Sequence, residues 1–304
     1  MNQPAAGPVL ETLPDHSANI GGGMDVRRAL PHRLRRLVGA WCFLDHYGPV
    51  SLAAQDAGMR IGPHPHMGLQ TVSWLFSGEV LHRDSLGSLQ SIRPGQLNLM
   101  TAGRGISHSE ESPASHPKEL HGLQFWIALP EKTRQGSAAF DHYPNLPEIR
   151  RDGLAATLIV GEGLKERSPA KVYTPMIGLD LRCTDVGARR LPLDADFEHA
   201  LIVIEGELTV ENTGMAPGSL YYLGRGRESL NVENRAPARA FLLGGTPFGE
   251  DVLLWWNFVG RRGEEMEQAR REWEARDARF GEVHGYDGPR LVAPELTTRL
   301  KTHL

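Results

Sequence analysis

Cysteine is scarce in this chain. Only Cys42 and Cys183 occur among 304 residues, far apart in sequence, which argues against a disulfide framework and for a reducing compartment. Long apolar runs are absent too. None approaches the roughly 18–20 residues that span a bilayer. The opening MNQPAAGPVLETLPDHSANIGGG has no basic stretch leading into an apolar core, so it does not read as a secretory signal. A cytoplasmic protein without a membrane partner is expected. Charge of one sign is also in short supply. The net charge of −4 gives no electrostatic footprint for nucleic acid, and no direct nucleic-acid partner is expected.

What the chain does have is turn residues and histidine. Its 34 glycines and 21 prolines are spread along its length, beside 40% hydrophobic and 23% charged residues. That composition fits a folded protein of many short strands joined by turns, and the length suits about two domains. Thirteen histidines call for a position-by-position reading.

Residues 1–23, Pro-rich and ending in Gly21-Gly22-Gly23, are expected to be a flexible lead-in. From 24 to 160, apolar runs alternate with turn signals: Leu69–Phe76 closed by Ser77-Gly78, Leu97–Met100 after Pro94-Gly95, Leu123–Leu129 closed by Pro130. This spacing predicts a sandwich or barrel rather than βαβ units. A second β-rich set follows over 161–290. It ends in Gly263–Phe280, where helix-favouring composition puts Met266, Ala269, Trp273 and Phe280 on one apolar stripe. Residues 291–304 read as a tail.

The two halves resemble each other. Ser77-Gly78-Glu79-Val80 is echoed by Glu205-Gly206-Glu207-Leu208, and Gly103-Arg104-Gly105 by Gly224-Arg225-Gly226, with Pro-Gly upstream of each. The reading is a duplicated β-barrel.

His64-Pro65-His66 and His108-Ser109-Glu110 are the chemical signal. Alternate residues of a strand share a face, so each triplet aims two ligand-type side chains the same way. Placed opposite each other in a barrel, they would bring three imidazoles and a carboxylate to one transition metal; iron, manganese, nickel, copper or zinc would suit that donor set. Chance alone supplies roughly 0.6 H-x-H pairs in such a chain, so the first pair by itself is weak, and its coupling to a second gives it weight. Aligning the repeated glycines puts Pro192 and Asp194 opposite His64 and His66, and Ser229 and Asn231 opposite His108 and Glu110. The second barrel therefore lacks the ligands and is expected to serve as structure or wall.

The run HPHMGLQTVSWLFSGEVLHRDSLG, then PGQLNLMTAGRGISHSE and HGLQFWIALP, with VRRALP and FLDHYGP upstream, closely resembles the pirin family of the cupin superfamily. The resemblance extends over most of residues 24–281. It implies an all-β fold of two tandem cupin barrels (double-stranded β-helix, jelly-roll) with a short C-terminal helix. It also implies one metal, most often described as Fe(II), in the first barrel on His64, His66, His108 and Glu110. Gln70 stands where many cupins carry a glutamate that is not a ligand, so coordination should survive while the ligands' surroundings lose a charge.

Several pirins have quercetin 2,3-dioxygenase activity. The resemblance thus implies ring cleavage of a flavonol or similar hydroxylated aromatic by O2; Glu110, at once a ligand and a carboxylate in reach of the incoming hydroxyl, is the candidate catalytic base. The alternative is an iron-dependent redox sensor acting on a protein partner. The remaining candidates have blander readings: His82 as an exposed or hydrogen-bonded side chain, Gln124 as a core-facing or strand-end residue, Asp45-His46-Tyr47 as a packed turn. Gly103-Arg104-Gly105 reads as a tight turn, Trp255, Trp256 and Trp273 as packing, and Arg270-Arg271 as a solvated face.

Overall fold

The computed structural model describes residues 7–20, 24–53 and 55–296. In the first part of the chain lie β1 (Pro8–Pro14), β2 (His16–Asn19), β3 (Asp25–Leu30), β4 (Trp41–Ser51), β5 (Arg60–His66) and β6 (Leu69–Ser77). They are followed by β7 (Val80–Asp84), β8 (Leu89–Ile92), β9 (Leu97–Thr101), β10 (Ile106–Glu111), β11 (Glu119–Ala128) and β12 (Ala139–Tyr143). The second part has β13 (Glu148–Arg151), β14 (Leu154–Gly163), β15 (Glu166–Arg167), β16 (Met176–Cys183), β17 (Gly187–Pro192) and β18 (Glu198–Glu205). It continues with β19 (Leu208–Val210), β20 (Thr213–Met215), β21 (Ser219–Gly224), β22 (Ser229–Asn234) and β23 (Ala238–Gly245). A hairpin of β24 (Leu253–Trp255) and β25 (Phe258–Gly260) then leads into the helix α1 (Gly263–Glu274).

Each barrel pairs a large sheet with a small one. The first runs β12-β9-β6-β11-β4-β3-β2 over β5-β10-β7-β8; the second runs β1-β21-β18-β23-β16-β14-β13 over β17-β22-β19-β20. The strands from β4 to β11 recur in the same spatial order as those from β16 to β23, which is the duplication expected from the repeated turn sequences. Gly103-Arg104-Gly105 is a tight turn, whereas in the second copy Gly224 ends β21 and Arg225 is a bend. Gly103, at φ +53°, has no room for a Cβ, which would stand 2.2 Å from the Gly136 carbonyl oxygen.

The large sheets face each other across a shared apolar core. Alternation along β6 sends Val72 and Trp74 into it, and alternation along β18 sends Ala200, Ile202 and Ile204 to meet them. Trp41 lies at its centre with ring centroids 5.0 Å from Phe125 and 6.3 Å from Phe241. Its indole N–H donates to the carbonyls of Ile177 and Gly244, so the polar handle of a fully buried ring is satisfied. The barrels also approach backbone to backbone: a Cβ on Gly39 would stand 2.9 Å from Gly245 Cα.

Three expectations about segment placement need correction. The lead-in is not loose over its described part. β1 pairs with β21 and completes the second barrel's large sheet, the edge position that β12 fills in the first. Leu13 anchors it in the shared core, and Glu11 accepts two hydrogen bonds from Arg35. Gly21-Gly22-Gly23 lies outside the described residues.

The division at residue 160 falls inside β14, which pairs with β16 in the second barrel; strand pairing puts the change of barrel between β12 and β13. The closing helix follows the second barrel in sequence yet packs on the first. Met266, Ala269 and Trp273 form the predicted stripe on α1, whereas Phe280 lies in a turn beyond the helix end at Glu274; all four meet Met67, Leu253 and Phe258. The two ends of the chain are thus exchanged between barrels. Residues 291–296 of the expected tail are irregular yet tied in, since the Leu291 N–H donates to the Pro63 carbonyl and the Trp273 indole to that of Leu291; residues 297–304 lie outside the described set. No described helix is long and apolar enough to cross a membrane.

Candidate metal centre

β5 and β10 are antiparallel neighbours with His64 directly opposite His108. Because His66 is two residues from His64 on the same face, three imidazoles meet inside the first barrel. One ring nitrogen from each lies within 4.8 Å of the other two. His64-Pro65-His66 and the run Leu69–Phe76 lie on two strands in different sheets, β5 and β6, with Gly68 between them at φ +71°.

The outer nitrogens fix which inner ones are free. His64 Nδ1 lies 2.9 Å from the Gly62 carbonyl oxygen and His66 Nδ1 lies 3.0 Å from that of Asn257. A carbonyl only accepts, so each Nδ1 carries the proton and each Nε2 presents a lone pair. His108 Nδ1 is 3.3 Å from His82 Nδ1, while His82 Nε2 is 3.1 Å from Asp84 Oδ2. The Asp84 carboxylate accepts a hydrogen bond from His82 Nε2–H, leaving His82 Nδ1 to accept from His108 Nδ1–H, so that His108 Nε2 is also unprotonated.

His66 Nε2 and His108 Nε2 consequently face each other as lone pairs at 3.0 Å. Neither can donate to the other, and a cation bound by both resolves the repulsion. The residues fit a transition metal. Burial pushes the His64 imidazole down to about 4 and holds those of His66 and His108 well below the usual range, the neighbouring histidines adding to the effect. Neutral rings are the ligand form of histidine.

Glu110 departs from the expected picture. It lines the same cavity, but its carboxylate is not within the mutual distance that unites the three imidazoles. The register shift in the β5–β10 pairing puts an extra residue on β5, with Gly62 and Pro63 opposite Ser109, while β10 keeps an unbroken register with β7 from His108 to Glu111. Glu110 therefore keeps the His108 face, where Ser73 Oγ donates to its Oε1 at 3.3 Å. Burial raises its proton affinity. Gln70 is not beside the ligands at all. It lies on the opposite face of β6, where its amide donates to Thr101 Oγ1 and to the Lys171 carbonyl, so the expected loss of charge next to the metal centre does not arise.

The cavity, about 330 Å³, has a chemically mixed wall. Phe43 and Trp126 stack with centroids 3.9 Å apart. Arg28, lying over Phe43, forms a two-bond ion pair with Asp45. Gln124, Tyr47 and Trp256 also line it. Asp45, His46 and Tyr47 form part of β4, not a turn. Asp45 and Tyr47 reach the cavity, while His46 points the other way to His121, with Nε2 atoms 2.7 Å apart. Of the two readings of His82 the hydrogen-bonded one holds: it is buried against Phe140 and His108, with Asp84 and His108 as its partners. Sequence reasoning also gave Trp256 only a packing role; the β24–β25 turn brings it and the Asn257 carbonyl to the site.

Two family models cover this chain: pirin over residues 23–127 and the pirin C-terminal cupin domain over 178–281. The chain belongs to the pirin family. A Pseudomonas aeruginosa protein provisionally named a quercetin 2,3-dioxygenase is 46% identical over 96% of this chain and 92% of its own length. Human pirin is 31% identical over 78% of this chain and 84% of its own. A crystal structure titled quercetin 2,3-dioxygenase from Acinetobacter baumannii superposes with a TM-score of 0.93. It is 44% identical and covers 96% of this chain and 97% of that one. The two-barrel cupin architecture is shared with that crystal structure.

Proposed function

We propose that this pirin is a metal-dependent dioxygenase that opens the heterocyclic ring of a flavonol or similar hydroxylated aromatic. The observation that carries the reading is the convergence of three unprotonated Nε2 atoms in a cavity with a stacked aromatic wall. A divalent transition metal held by His64, His66 and His108, with Fe(II) the favoured ion and Glu110 as a fourth donor after a side-chain rotation, would supply the open positions at which substrate hydroxyl and dioxygen meet. The names carried by the relatives at 44–46% identity support the same reaction.

The chain's own residues do the rest. The face of Trp126 takes a planar ring by stacking, and the Arg28–Asp45 pair, Tyr47 and Gln124 offer hydrogen bonds to ring hydroxyls. Glu110 accepts the proton of the hydroxyl that enters the centre. Its raised proton affinity suits a base, and Ser73 donates a hydrogen bond to it before it turns toward the centre. Overall, both atoms of O2 enter the product, two ring C–C bonds break and one carbon leaves as carbon monoxide.

The test is aerobic incubation of iron-loaded protein with quercetin. Loss of the flavonol absorbance with matching carbon monoxide and two labelled oxygens from ¹⁸O2 is expected. A rate no higher than that of metal-free protein would overturn the assignment.

A further inference from the structure

A cavity of about 710 Å³ lies in the second barrel, away from the histidine centre. Its inner wall includes Leu154, Ala156, Ile177, Leu191 and Phe197, and its lining also includes His199. Glu198, Ala200 and Ile202 on β18 face the core between barrels, so alternation turns His199 inward together with Leu201 and Val203. Gly244 leaves room for the ring; a Cβ there would stand 2.7 Å from His199 Cδ2. His199 is 1% exposed, and neither of its ring nitrogens has a hydrogen-bond partner. Leaving a buried polar atom unpaired costs about 1–3 kcal/mol, and an imidazole has two.

We infer that the second barrel binds a small neutral hydroxylated aromatic molecule, with its ring among these apolar residues and its hydroxyl on His199. Burial pushes His199 down to about 4, so near neutral pH the ring carries one N–H donor and one lone pair. A hydroxyl both donates and accepts, and it answers either one. Phe197, with its centroid 6.1 Å from that of His199, supplies an aromatic neighbour for the ligand's ring. The rim sets five cationic side chains against four carboxylates, with Arg151 paired to Asp152 and Arg167 to Glu162. Near balance of charge selects no ion, and recognition falls to the interior. Pro192 and Asp194 occupy the positions of His64 and His66, so the site needs no metal, and it is independent of any reaction in the first barrel.

The probe is 2-naphthol, titrated calorimetrically into the metal-free full chain, with naphthalene as its hydroxyl-free counterpart. 2-Naphthol should bind at least about tenfold more tightly than naphthalene. His199→Phe should abolish that preference, His199→Gln should keep it, and Leu154→Trp at the cavity wall should weaken both probes. Failure of 2-naphthol to bind, equal binding of the two probes to the unaltered protein, or undiminished preference in His199→Phe would each overturn the inference. Should His199→Phe not fold, as read by urea unfolding, Leu154→Trp decides: unchanged 2-naphthol affinity refutes the site.

Discussion

The Nδ1 of His82 stands 3.3 Å from the Nδ1 of His108, and Asp84 accepts from the far side of His82. This chain of three sets the tautomer of a metal-facing histidine through a second histidine rather than through a carbonyl. Asp84 is itself well held: its other oxygen accepts the backbone N–H groups of Leu86 and Ser88. Burial alone would raise its carboxyl, but the bonds from His82 and Ser88 outweigh that and hold it below its ordinary value.

Substituting Asp84→Asn should therefore weaken metal binding although Asp84 touches no ion. With an amide in place of the acceptor, His82 can turn its proton toward His108 and disfavour the ligand tautomer. Losses of about 10–100-fold are usual when such outer partners are removed. Competition against a chelator of known affinity measures the change; an unaltered affinity would mean that the His82 chain does not orient His108.

Glu110→Gln separates the two roles considered for this carboxylate. If it serves as base, turnover should fall by about 100-fold or more, while the three-histidine centre retains its metal and substrate KM changes little. Metal content by elemental analysis beside steady-state kinetics distinguishes the outcomes. Loss of metal with loss of turnover would make it chiefly a ligand, and unchanged turnover would remove it from the mechanism.

Leu13→Ala tests the corrected role of the N-terminal segment. Leu13 is fully buried in the core between barrels, and truncating such a leucine costs about 2–5 kcal/mol. Urea unfolding should show that loss. A freely moving lead-in would show almost none.

How far the sequence could be read depends on the range of the interaction concerned. Pro192 faces Ser229 across β17 and β22 as His64 faces His108 across β5 and β10, the correspondence obtained by matching Gly78 with Gly206 and Gly103 with Gly224. Turn glycines carry backbone constraints that survive divergence of the side chains, so register was legible. The histidine triplet was legible for a similar reason, since strand alternation is local. What could not be read was long-range. β1 has no pattern naming β21 as its partner, and α1 shows an apolar stripe without saying which barrel it covers. The Asn257 carbonyl reaches His66 only through a turn 191 residues away. His82 could have been found, because His82-Arg83-Asp84 on a strand puts its first and third side chains on one face; the same rule that identified His64 and His66 applies there. The separation of the Glu110 carboxylate from the imidazoles was not legible, because the extra residue on β5 opposite Ser109 shifts one strand against the other in a way that a simple period of two does not show.

Acid should loosen the metal-free protein well before its carboxylates are neutralised. Burial pushes the imidazoles of His46 down to about 3 and of His121 and His199 to about 4, against about 6.5 in an unfolded chain. Below that value the unfolded chain takes up protons that the native state refuses, so stability falls as pH falls. The contribution is fully present above pH 6.5 and is lost progressively toward pH 4. His46 and His121 share this behaviour for a visible reason: their Nε2 atoms are 2.7 Å apart, and Arg27 already donates to His46, so a further proton would crowd positive charge in a buried place. His199 gives the cleaner test because it has no hydrogen bond to lose. An imidazole held near 4 rather than 6.5 costs the fold about 3 kcal/mol once the pH is below 4. Urea unfolding of the metal-free chain at pH 7.5, 6, 5 and 4 should show a declining midpoint, and His199→Phe should decline less by an amount approaching that figure. Parallel declines in the two proteins would show that His199 is protonated in the native state as easily as in the unfolded one.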